Sequence, residues 1–303
     1  MDTPKIFSDS FNDILSNPKA ILPSLILSII LILIIIATVL IFFSGAITSN
    51  IILFINSPSS FISNTLLLGE VIKFLIEILL IIFIISFLIS MFMNGIFVAM
   101  ANQLIRKEKL NIRNAISLAS SRYINLLGAG IISIAIVLVA IAVPLSLIIL
   151  TFYIQVSLFS FMLAAIFAIL LLILLIFATI YIFQVTTVII IENKKPIDAI
   201  KRSFQIAAKK RTDIFIVLVL MALINITISF LSGFFELIPF VGILITLIID
   251  ISASVWFGMV PVYFYYASGS NINQNQTLQK IKKKLPNTRV TTEKIKDDSK
   301  TSK

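Results

Sequence analysis

The chain of 303 residues has no cysteine and no histidine, a single tryptophan, and only 13% charged residues. Without Cys, disulfides, thiolate nucleophiles, iron–sulfur clusters and Cys-based zinc sites are impossible. Without His, the commonest general base and metal ligand is gone, and Ser-His-Asp catalysis, HExxH proteases and His-ligated haem go with it. The scarcity of charge excludes more. A soluble domain averages about 25% charged residues, whereas this chain is 59% hydrophobic with mean hydropathy +1.11 and cannot cover a water-facing surface. Neither a soluble enzyme nor a disordered tail has this composition.

What is present is long runs without charge, at residues 20–69, 78–105, 123–191, 214–235, 237–249 and 251–279. A bilayer core of about 30 Å needs about 20 apolar residues as helix. Run 123–191, at 69 residues, is too long for one crossing and must fold back. The polar interruption from Thr151 to Ser157, with Gln155, marks its turn. The runs flanking Glu236 make two more crossings, with Pro239 and Gly242 at the turn. The apolar runs are continuous rather than alternating, so helices are expected, not strands.

The spacing predicts an all-α, polytopic membrane protein with six transmembrane helices at about 19–44, 74–101, 125–150, 157–191, 213–236 and 240–266. The fourth ends either at 191 or near Phe183, with Gln184, Thr186 and Thr187 then in the interface. The acidic N-terminal segment is not a cationic signal-peptide region, so helix one is expected to remain as an anchor. Asn17-Pro18 reads as its start, Asn as N-cap and Pro at the first helical position.

Charge sets the topology. Of the 24 basic residues, 23 fall on alternating segments: before helix one, in 102–124, in 192–213 and in the tail 267–303. Lys73 alone falls on the other side. The positive-inside rule then puts both termini in the cytoplasm and the protein in the cell membrane. Segments leading into helices one, three and five carry apolar residues at helical spacing: Ile6, Phe7, Phe11, Ile14 and Leu15; then Ile112, Ile116 and Ala119; then Ile197, Ile200, Phe204 and Ala207. Each reads as an amphipathic helix lying in the interface, apolar face in lipid. The organisation is therefore an N-terminal amphipathic segment (1–18), three transmembrane hairpins (19–266), each preceded by a surface helix, and a flexible basic tail (267–303). Within the tail, 278–285 can form a short basic helix.

The opening FNDILSNPKAILPSLI and the later KPIDAIKRSFQIAAKKRTDIFIVLVL resemble a broad group of uncharacterised prokaryotic six-span proteins. That group includes the membrane domain attached to some glycerophosphodiester phosphodiesterases. Asn17-Pro18 matches its start before the first span, and Ala199 with Ser203 its "A-x-x-x-S" helix before the fifth. The resemblance covers most of the chain and implies the six-span fold but no catalytic residue. The Ile- and Lys-rich composition is similar to that of low-GC prokaryotes, archaea among them.

Polar side chains inside the membrane are the candidates for function. Asp250 follows Pro239 by 11 residues, about 16 Å of helix, and Asn225 precedes Glu236 by 11, so the two share a depth. They form either a cation or proton site, with Thr227, Ser229, Ser252 and Ser254 nearby, or an interhelical hydrogen bond that locks the hairpin. Glu70, Lys73 and Glu77 share a helix face and read as an interfacial salt bridge. Gly128 and Gly130 permit close contact, Pro144 and Pro261 fall inside spans, and Tyr263, Tyr265 and Tyr266 read as an aromatic belt.

Arg113, Arg122, Lys201, Arg202, Lys209, Lys210 and Arg211 are candidates for contact with anionic lipid headgroups. No Walker loop, no paired acids of an aspartyl protease and no phosphotransferase motif is present. The sequence reads first as a non-enzymatic, lipid-associated scaffold or accessory component of a membrane complex. The alternative is a small-solute or ion transporter or channel subunit using Asp250 and Asn225. Neither reading calls for a cofactor, a metal or nucleic acid; the partners are lipid and other membrane proteins.

Overall fold

The computed structural model describes residues 3–43, 65–154, 158–236, 238 and 241–269, and every regular element among them is helical. The expectations for Gln155, Ser157, Pro239, the side chain of Glu70 and the tail helix at 278–285 fall outside the described residues.

The elements follow the charge-free runs. Helix α1 (Thr3–Ser16) leads through a 3₁₀ turn (Pro18–Ile21) into α2 (Leu22–Phe43). Next come α3 (Thr65–Ile105), the short α4 (Ile112–Ser121), α5 (Tyr123–Ile154) and α6 (Leu158–Ile182). A short α7 (Val185–Glu192), then α8 (Pro196–Phe235) and α9 (Val241–Ala267) complete the described fold. Six stretches are long and apolar enough to cross a membrane: Pro18–Thr38, Ile76–Ile105, Tyr123–Tyr153, Leu158–Glu192, Pro196–Phe235 and Val241–Ala267. Each matches one expected span.

Local chemistry explains the joints. Pro18 opens the 3₁₀ turn, but the Asn17 side chain caps nothing ahead of it. It donates backward to the Asp13 carbonyl at 3.0 Å instead and so closes the end of α1. Asn111 is a true N-cap of α4, its side chain accepting from the Asn114 amide at 3.1 Å. Asn193 closes α7 at φ 56°, a left-handed conformation that Asn tolerates. A Cβ on Gly242 would lie 1.7 Å from the Phe235 carbonyl oxygen, so only glycine lets α9 begin so close to the end of α8. A Cβ on Gly130 would meet Met91 Sδ at 2.7 Å, which is the close α3–α5 contact expected of it.

Helix α9 is the hub, packing on α1, α2, α3 and α8, while α5 lies along α6. Most fully buried apolar residues sit near one end of the bundle. They include Ile96, Met100 and Ala101 of α3, Val188 and Ile189 of α7, and Met259, Val260 and Phe264 of α9, all fully excluded from the surface. That is the end bearing the basic segments.

Three readings of these segments need correction. Ile6, Phe7 and Ile14 of α1 are buried against protein, not laid in lipid, because α1 packs on α9; only Phe11 and Leu15 of that set are exposed. The segment before the fifth span is a helix of its own, joined to that span at a kink at Lys210, but Ile200 and Ala207 of its apolar face are buried against protein rather than laid in lipid, and only Ile197 and Phe204 are exposed. Tyr263 and Tyr265 are buried rather than belt residues, since each hydroxyl meets a carboxylate from a distant segment.

Candidate functional site

The fourth apolar stretch is interrupted between α6 and α7, at Phe183 and Gln184, where Gln184 leaves helical geometry (φ −99°, ψ 0°). The backbone groups freed there are taken up by two other helices. Ser203 Oγ of α8 donates to the Tyr181 carbonyl at 2.6 Å and accepts from the Gln184 amide at 3.3 Å. Gln184 Nε2 donates to the Pro261 carbonyl of α9 at 3.1 Å. Pro261 in turn lacks the amide that would pair with the Phe257 carbonyl. The break is thus stitched into the bundle, and Gln184 and Thr187 are fully buried, not interfacial.

Beside this break lies a polar cavity of about 660 Å³, walled by α3, α7, α8 and α9. Asp250 and Ser254 enter it from α9, and Asn225 and Ser229 from α8. Opposite them stand Asn94 of α3 and Thr186 and Thr187 of α7. Asp250 is the one charged residue in the lining, and no Lys or Arg faces it among the described residues. The structure therefore brings Asp250 and Asn225 to one cavity. No hydrogen bond joins them among the described residues, so they do not form the direct interhelical lock. Thr187 Oγ1 is buried without a hydrogen-bond partner, as is Gln184 Oε1 behind it. An unpaired buried polar atom costs about 1–3 kcal/mol, so the helix break beside this cavity is a costly feature of the fold. Among the other polar candidates, Thr227 and Ser252 bond back to the Leu223 and Ile248 carbonyls of their own helices.

At the basic end, a second set of polar contacts ties the helices together. Glu192 receives Arg202 Nε at 3.1 Å, Lys194 Nζ at 3.1 Å and the Tyr265 hydroxyl at 2.6 Å. Tyr263 donates to Asp13, Tyr266 to Asn102 at 2.6 Å, and Trp256 Nε1 to Ser10 Oγ at 2.9 Å. Trp256 also meets the rings of Phe7 and Phe11. Arg106 reaches the Tyr266 hydroxyl, and that bond raises its guanidinium pKa; burial lowers that of Arg122.

The residues expected to meet headgroups divide accordingly. Arg113, Lys201, Lys209 and Arg211 are exposed. Arg122 donates to the Ile189 carbonyl at 3.3 Å and Arg202 pairs with Glu192, so these two face protein, while Lys210, 3.6 Å from Asp213, keeps a 40% exposed side chain. Arg211 also borders an apolar cleft of about 290 Å³ between α6 and α8. At the other end, Lys73 and Glu77 approach to 3.9 Å with both side chains exposed.

Sequence reasoning passed over Asn94, although a signal was available. Ser86, Ser90 and Asn94 recur at four-residue spacing within an otherwise apolar span, and so lie on one helix face. All three line cavities in the bundle.

Six membrane-length apolar helices, with a polar cavity among them, define a polytopic helical membrane protein. The family described as "Domain of unknown function (DUF7847)" matches residues 79–268, and the chain belongs to it. The matched region runs from α3 through α9 and so includes every helix lining the Asp250 cavity. No curated protein and no solved structure matches the chain.

Proposed function

We propose that the protein binds a small cationic solute inside the membrane and carries it across, with Asp250 as counter-ion. The observation that carries this reading is the polar cavity in which Asp250 stands without a basic partner. An intramembrane carboxylate is costly unless neutralised. A bound cation would neutralise it. The Asn225 and Asn94 amides supply further oxygens for a desolvated cation. An interrupted helix beside a site near mid-membrane is a general design of secondary carriers, and α6–α7 supplies one here.

The remaining organisation belongs to the same reading. The basic end faces the cytoplasm, the spans pair as three hairpins, and the segments around α1, α4 and the start of α8 act as amphipathic supports at that face. The reading is non-enzymatic. We infer as well the relation to the six-span membrane domain of glycerophosphodiester phosphodiesterases, which rests on Asn17-Pro18 and on Ala199 with Ser203. A second reading, a lipid-associated accessory component, draws on exposed Arg211 beside its apolar cleft, a pairing that suits an anionic headgroup and its chain.

The test of the first reading is uptake of methylammonium into proteoliposomes. Uptake by the native protein that is lost in Asp250→Asn supports it. No uptake by the native protein overturns it and leaves the accessory reading.

A further inference from the structure

The polar cavity does not stand alone. A second chamber of about 630 Å³ lies between α3, α5 and α6 and adjoins it: Asn94, Phe183 and Thr186 line both. Its character is different. Phe83, Phe87, Ile134, Val137 and Leu138 form its walls, the polar atoms beyond the shared wall are hydroxyls, and no charged residue lines it. At its rim Phe83 is 57% and Leu138 58% exposed, so the chamber opens on the face of the bundle where acyl chains run. The chamber with the lone carboxylate thus shares three lining residues with one that is apolar and open at its rim. Each chamber falls in the range of about 300–1,000 Å³ usual for small-molecule sites.

Resting on the cation-binding reading above, we propose that the ligand is a cationic amphiphile, its ammonium group at Asp250 and its hydrocarbon tail in the chamber lined by Val137 and Leu138. Charge complementarity fixes the orientation. An anionic headgroup would meet Asp250 with like charge, and a neutral chain would leave the carboxylate unpaired. A short ammonium would fill the polar chamber and leave the apolar one unused. A ligand of this shape enters sideways from the bilayer, between α3 and α5, rather than from water.

The experiment is equilibrium binding to the full chain in dodecyl maltoside, followed by fluorescence of the single tryptophan. Trp256 stacks on Phe257, which lines the polar chamber, at a centroid distance of 5.5 Å. Dodecyltrimethylammonium is expected to bind at least about tenfold more tightly than tetramethylammonium, given what several buried methylenes contribute. Asp250→Asn is expected to weaken both. Val137→Phe, which fills the tail chamber, is expected to weaken the long ligand about tenfold and leave tetramethylammonium unchanged; that retained binding shows the variant is folded. Equal affinity of the two ammonium ions in the native protein overturns the amphiphile inference and leaves the cation reading standing. Displacement by dodecanol as readily as by the long ammonium overturns it as well. If neither ammonium ion binds, both readings fall.

Discussion

The two ends of this bundle are built differently. At the basic end, buried apolar residues from α3, α7 and α9 close around Glu192, and tyrosines of α9 reach α1, α3 and α7. At the opposite end the helices present leucine and isoleucine outward: Leu79 is 65% exposed, Ile76 59%, Ile243 64% and Leu244 61%. No lipid is needed to read the contrast. One end is held by contacts between helices, and the other leaves its apolar side chains exposed. The Asp250 cavity lies where the first gives way to the second, with Pro261 at its clasped end and Asp250 toward the splayed one.

The comparison breaks first at Glu192. Glu192→Ala leaves Arg202 and Lys194 without their carboxylate and the buried Tyr265 hydroxyl unpaired. Losing one partner of a buried pair costs about 3 kcal/mol. In detergent the unfolding midpoint is expected to fall by about 5–10 °C. An unchanged midpoint would show that the clasp does not hold the basic end.

Ser203→Ala is next. It strips the partner from both the Tyr181 carbonyl and the Gln184 amide at the helix break. The expected loss is about 1–2 kcal/mol, read as a lower midpoint, whereas Ser203→Thr keeps the hydroxyl and recovers most of it. Tyr263→Phe removes the hydroxyl that meets Asp13. About 1 kcal/mol is expected, with loosening of α1 read as a red shift of Trp256 emission, since Ser10, Phe7 and Phe11 all pack on that indole.

The smallest effects belong to the splayed end. Leu79→Ala, at a position 65% exposed, is expected to change stability by less than about 0.5 kcal/mol. Lys73→Ala removes only the exposed contact to Glu77 at 3.9 Å and is expected to leave the midpoint unchanged. A large effect at either position would mean that this end is packed more tightly than its exposure indicates.

The contrast also explains what could be read in advance. The spans were legible because charge is so costly in hydrocarbon that its absence marks each one. Asp250 and Asn225 were legible for the same reason, as rare polar residues at matched depth. Gln184 was not. A glutamine near the end of an apolar run looks interfacial, and only Ser203 and Pro261, 19 and 77 residues further along the chain, turn it into a buried joint. Tyr263 and Tyr265 misled in the same way, because a tyrosine at a helix end suits a lipid interface equally well. Their partners Asp13 and Glu192 lie 250 and 73 residues away along the chain. Asn94 carried a readable period with Ser86 and Ser90, but hydroxyls in a membrane helix commonly bond their own backbone, and that ordinary role hid the stripe.

An accessible cavity that favours cations because of Asp250 is open to one direct measurement. The native chain has no cysteine, so Ser254→Cys places a single thiol in the cavity wall. Reaction of that thiol in proteoliposomes is compared for a cationic and an anionic methanethiosulfonate of similar size, with and without Asp250→Asn. The cationic reagent is expected to react faster, and Asp250→Asn to abolish the preference. A thiol that reacts with neither reagent, or with both at the same rate while Asp250 is present, would contradict the account.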